Sequence, residues 1–130
     1  MSNFLLKLSA GRFSDHENSF CISLRGAHHI HNPIDRSLYS FPQIGDKIYL
    51  WEHEDPRNGI QGRGLIARVI IERIADDTVC VSMEQRIGNS LFGINDLDSY
   101  PQLQSMIKNY SHDKLMNISD ETASFLDSRL

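Results

Sequence analysis

Three histidines fall within four residues, His28, His29 and His31, with Asp35 shortly after them. Neutral imidazoles in such proximity can ligate a divalent metal, and on a strand His29 and His31 would share a face. A closed site needs further ligands, which Asp35, His53 or His16 supply only if the fold gathers them. Loop histidines that are solvated or hydrogen-bonded locally explain the same run, so no metal is assigned. Nucleophilic catalysis has less support. No Gly-x-Ser-x-Gly elbow occurs, and neither Cys21 nor Cys80 is flanked by an activating group. Gly59-Ile60-Gln61-Gly62-Arg63-Gly64 has neither the Gly-Lys-Ser/Thr of a phosphate loop nor the glycine order of a dinucleotide turn. It reads as a bend or bulge in a curved sheet, or as close backbone approach to a planar ligand. The sequence thus names no catalytic residue and calls for no cofactor.

Binding chemistry is better represented. Arg57, Arg63, Arg68 and Arg73 are opposed by Glu72 alone between Arg57 and Arg73 and form a local basic edge suited to phosphate, or a solvated outer face with scattered ion pairs. Tyr49 and Trp51, two residues apart on a strand, share a face that either packs on the core or stacks a flipped base.

These side chains must be held by a β-rich frame. Lys47-Ile48-Tyr49-Leu50-Trp51 is rich in β-branched and aromatic residues and follows the turn Ile44-Gly45-Asp46. Asp55-Pro56-Arg57-Asn58-Gly59 returns the chain into a strand over Gly64–Ile71. After Ala75-Asp76-Asp77, Val79, Val81 and Met83 alternate with Cys80, Ser82 and Glu84 as in a half-buried strand. Phe4–Leu8 and Phe20–Leu24 raise the count to at least five strands, which predicts a small, partly closed barrel. Helices are predicted late: one opening at Ser99-Tyr100-Pro101 and running through Leu103, Met106 and Ile107, and one capped by Ser119, with Asp120 and Glu121 in its first turn.

At 130 residues with 40% hydrophobic and 23% charged residues, the chain reads as one domain, residues 1–130, able to bury a core without staples. Cys21 and Cys80 are accordingly expected as buried, reduced thiols in a cytoplasmic protein. No stretch is long and apolar enough to span a membrane, and no basic region precedes the short apolar start, so a soluble, unexported protein is expected. The net charge is −4, which argues against tight, sequence-blind binding to a nucleic-acid backbone. That charge is uneven: nine basic and eight acidic residues precede Asp76, four basic and nine acidic follow from it. A polyanion should meet the first part.

The chain resembles the EVE domains in the order of its motifs. Phe4-Leu5-Leu6-Lys7 followed by Phe13-Ser14 is similar to that family's opening Tyr-Trp-Leu-Leu-Lys and Tyr-Ser. Ile44-Gly45-Asp46 before an apolar strand ending in Trp51, then Ile60–Val69, resemble its Val-Gly-Asp strand and its Ile-Val-Gly-Ile-Ala-x-Val strand. Leu97–Leu103 and Leu115–Glu121 look like its closing segments. The chain departs at Leu8-Ser9-Ala10, at Trp51-Glu52-His53, and most at Leu24–Asn32, where Arg25, Gly26 and Asn32 stand for the family's Gly-Val-Arg-Asn-Tyr loop.

The resemblance implies an α+β, PUA-like (EVE-type) mixed β-barrel of five to six strands with a few short helices, related to YTH and ASCH domains. It implies a non-enzymatic module that reads a modified base, such as a methylated or hydroxymethylated cytosine or a methylated adenine, in DNA or RNA. The implied pocket centres on Trp51, with Phe4, Arg25, Asn32 and His53, and Arg57, Arg63 and Arg68 are the implied phosphate contacts. Two alternatives from other classes stand beside it: a small metal-dependent enzyme built on His28, His29 and His31, and a homodimer formed through an exposed strand edge.

Overall fold

The unbroken buried run from Ile48 to Glu52 places the strand Lys47–His53, β3, where both of its faces are covered. A computed structural model of the chain describes residues 2–9, 18–23, 42–53, 59, 62–76, 78–87, 93–108 and 115–130. Within them β3 (Lys47–His53) lies parallel to β1 (Asn3–Ser9) and antiparallel to β4 (Gly64–Ala75). A turn at Asp76, with φ +52°, reverses the chain into β5 (Thr78–Arg86). The edges are β2 (Ser19–Ser23), antiparallel to β5, and β6 (Leu115–Ile118), antiparallel to β1. The order is β2-β5-β4-β3-β1-β6. A 3-10 turn, Ile94–Leu97, leads to helix α1 (Pro101–Lys108), and helix α2 (Asp120–Asp127) follows β6.

The described residues therefore form a small α+β domain with a six-stranded mixed sheet and two short helices. The expected barrel is corrected in one respect. Among the described residues the sheet is not closed, because β2 and β6, five and four residues long, each pair on one side only. Strand number alone does not close a sheet; closure needs the outer strands hydrogen-bonded to each other.

Two apolar clusters lie on opposite faces. Phe4, Leu6, Ile48, Leu50, Val69, Ile71, Val79 and Val81 form one. Leu5, Tyr49, Trp51, Leu65 and Met116 form the other with Leu103 and Ile107 of α1 and Ala123 and Leu126 of α2. The Ile-Gly-Asp turn fixes the entry to β3: Gly45, at φ +92°, lets the buried Asp46 carboxylate accept from the backbone N–H of Ser2 at 3.0 Å and of Gln43 at 2.8 Å. The glycine stretch before β4 takes the bulge reading, since Gly59 and Gly64 have positive φ and the β3–β4 register shifts between Leu50 and Trp51.

The cysteines require a second correction. Cys21 and Cys80 face each other in the β2–β5 register, 4.0 Å apart at Cα, and form a disulfide. The inward positions of β5 are Val79 and Val81, so alternation turns Cys80 to the other side, where it meets Cys21 across the edge pair. The reduced-thiol argument for a reducing compartment falls with it. Among the described residues no helix is long and apolar enough to cross a membrane.

Candidate functional site

The residues expected to form one pocket do not share a face. Phe4 is 0% exposed in one cluster and Trp51 2% exposed in the other, on opposite sides of the sheet. A base could stack on Trp51 only after its neighbours moved. His53, half-buried at the end of β3, falls on the Trp51 side by strand alternation. Arg25, Asn32 and Arg57 lie outside the described residues, as do His16, His28, His29, His31 and Asp35. Among the described residues no group of acidic, histidine or cysteine side chains could hold a metal.

The basic edge is largely committed to carboxylates. Arg63 donates through Nε at 3.0 Å and Nη2 at 2.9 Å to Glu52, a carboxylate only 4% exposed, whose Oε1 also accepts from the Arg63 backbone N–H. Arg68 does not point to the outer solvent face. It stands opposite Tyr49 in the register, beneath α2, and donates to Asp127 of that helix and, at 3.1 Å, to Glu84. Tyr49 donates its hydroxyl to the same Asp127 oxygen at 2.7 Å, and Lys47 pairs with Glu84 at 3.6 Å. Burial, then the Asp127 carboxylate, push the Tyr49 phenol well above its ordinary range. Burial opposes the Arg68 charge, but its hydrogen bond to Asp127 and the charges of Asp127 and Glu84 hold it above the ordinary guanidinium value. The network is a clasp between sheet and helix.

A cavity lies elsewhere, where the start of α1 meets the β6–α2 junction. Its volume is about 370 Å³, and Tyr100, Gln102, Asn117, Ser119, Glu121 and Thr122 supply its polar lining. Local sequence builds each wall. Pro101 opens α1 because its missing N–H is not needed there. The N–H of Tyr100 closes on the Leu97 carbonyl at 2.8 Å, and the Gln104 side chain donates to the Ile94 carbonyl at 2.8 Å and to Asp98 at 2.9 Å, so the Tyr100 turn is tied to the preceding 3-10 turn. The Tyr100 ring stacks on Phe125 of α2, centroids 4.1 Å apart at 25°, with the Arg129 guanidinium 5.6 Å from the Phe125 centroid. On the other wall Asn117 is 2% exposed, and the Ser119 hydroxyl accepts from the Thr122 N–H at 3.1 Å to cap α2.

Such a cavity suits a small planar ligand: the Tyr100 side chain to stack on, the Thr122 hydroxyl, which accepts from Ser119 at 3.0 Å and keeps its own proton to donate, and a carboxylate, Glu121, that favours donors and disfavours phosphate. Sequence reasoning found Ser99, Tyr100, Pro101, Ser119, Glu121 and Thr122 only as helix signals, and Asn117 only within the closing segment of the EVE resemblance. The juxtaposition of 99–103 with 117–122 leaves no mark on local sequence.

No family model matches the chain, and no curated protein matches it. Solved structures do. A protein from Pseudomonas putida, 15% identical, superimposes with a TM-score of 0.65 over 98% of this chain and 99% of that one. A hypothetical protein from Leishmania major, 15% identical, gives 0.65 over 99% and 94%. A protein from Agrobacterium tumefaciens, 12% identical, gives 0.58 over 97% and 90%. The chain shares their fold. At these identities the likeness extends to the fold alone.

Proposed function

We propose that the protein is a non-catalytic binding module that holds a modified nucleobase of DNA or RNA in the cavity between α1 and the β6–α2 junction. The observation that carries this reading is the cavity itself, about 370 Å³, lined by Tyr100 on the α1 side and by Ser119, Glu121 and Thr122 on the α2 side. That volume is near the lower end for small-ligand pockets and suits one flipped base rather than a longer segment. The motif order from Phe4 to Glu121 supports placing the domain with the EVE-type, PUA-like modules, its sheet open where those are described as barrels. The pocket is relocated: Trp51 packs in the core beneath α1 and α2, Phe4 lies on the other face of the sheet, and stacking falls to Tyr100.

Recognition of the modification would come from cavity shape and hydrogen bonds to the base edge, because burying one methyl contributes only about 1 kcal/mol. Fluorescence anisotropy with labelled oligonucleotides, modified and unmodified, tests the reading. Tyr100→Ala should weaken binding of the modified strand about tenfold or more, since stacking of a base on an aromatic ring is worth about 1–3 kcal/mol. With Arg63 and Arg68 held by carboxylates, the slope of log K against log salt should be shallower than about −2. Equal affinity of parent and variant would remove the cavity from the account.

A further inference from the structure

The Cys21–Cys80 bridge stands apart from the cavity and plays no part in the proposed ligand binding. It joins the edge strand β2 to β5, with Cys21 exposed and Cys80 half-buried. The Arg73 guanidinium donates through Nη2 to the Cys80 sulfur at 3.5 Å, across the β4–β5 register in which the two residues are partners. The neighbouring carboxylate on β4, Glu72, accepts instead from Ser82 at 2.7 Å. One sulfur of the bridge is thus open to an incoming thiolate, and the other sits against a cation.

We propose that the Cys21–Cys80 disulfide is a thiol-exchange site, at which a dithiol reductant attacks Cys21 and displaces Cys80 onto Arg73. The attacking thiolate forms a bond to the Cys21 Sγ while the Cys21–Cys80 bond breaks, and the electron pair leaves on the Cys80 sulfur as a thiolate facing the guanidinium. The second thiolate of the reductant then attacks its own sulfur in the mixed disulfide and releases Cys21 as a thiolate. Two electrons pass to the protein, and the dithiol ends as a disulfide. A cation beside the leaving sulfur favours this direction of attack, because a stabilised thiolate leaves faster. Among the described residues β2 pairs only with β5, so reduction removes the covalent tie of an edge strand that its ladder to β5 and its Phe20 and Ile22 contacts still hold, and leaves the β1–β3–β4 centre untouched.

Alkylation and mass analysis of the folded, oxidised protein during treatment with dithiothreitol measures the exchange directly. Both thiols should appear together without denaturant, and glutathione in place of dithiothreitol should leave a mixed disulfide on Cys21. Arg73→Gln should slow exchange about threefold or more and Arg73→Lys should restore most of the rate, while the oxidised variants keep the parent melting temperature. An unchanged rate in Arg73→Gln, glutathione trapped on Cys80, or a bond that opens only in denaturant would overturn the proposal.

Discussion

Single side chains divide here into those that hold the sheet together and those that face the cavity. Trp51 belongs to the first group. At 2% exposure, packed with Tyr49, Leu65 and Met116, it is a core residue. Trp51→Ala should cost about 3–5 kcal/mol in denaturant unfolding, so any ligand binding it loses is lost with the fold. A variant of parental stability that no longer bound would show instead that Trp51 touches the ligand. Tyr49 makes the network titrate in an unusual way. Its phenol is raised, so the neutral form is the one the fold prefers. The stabilisation is complete below the unfolded-state value of about pH 10 and is lost as pH climbs above it. An ultraviolet titration compared with that of Tyr49→Phe should show the Tyr49 phenol resisting ionisation until the protein unfolds.

The elements themselves were largely legible. Ser119 followed by Asp120 and Glu121 marks the start of α2, and Pro101 marks α1, because capping and macrodipole effects act within one turn and leave local signals. Strands β3 and β4 are marked by β-branched and aromatic residues between turn signals, and β5 by its alternation, because one of its faces carries polar residues. Strand β6 was missed as a strand for the opposite reason: all four of its residues are buried, so nothing alternates. The disulfide and the cavity depend on which strand lies beside which and which helix start meets which junction, and 59 residues separate the two cysteines. Arg68 was assigned to the outer face because the sequence does not show that α2 folds over it. That packing makes a prediction for the helix. Asp127→Ala removes the acceptor of the buried Tyr49 hydroxyl and a partner of Arg68, and should destabilise the protein by about 1–3 kcal/mol in thermal or denaturant unfolding. No loss of stability would mean that the clasp does not hold α2 to the sheet.

For the molecule as a whole, charge and topology point the same way. The net charge is −4, and pairing to carboxylates takes Arg63 and Arg68, two of the four arginines of the basic edge, away from a phosphate backbone. On the proposed function, affinity comes from a specific pocket, and the cavity at the α1 start is the candidate, lined by Tyr100, Ser119, Glu121 and Thr122. The most direct test is a two-dimensional NMR titration of the oxidised protein with a short oligonucleotide carrying one methylated or hydroxymethylated base. The account predicts amide shifts concentrated at Ser99–Leu103 and Asn117–Thr122, larger for the modified strand than for its unmodified twin. Shifts that fall elsewhere, or none at saturating strand, would contradict it.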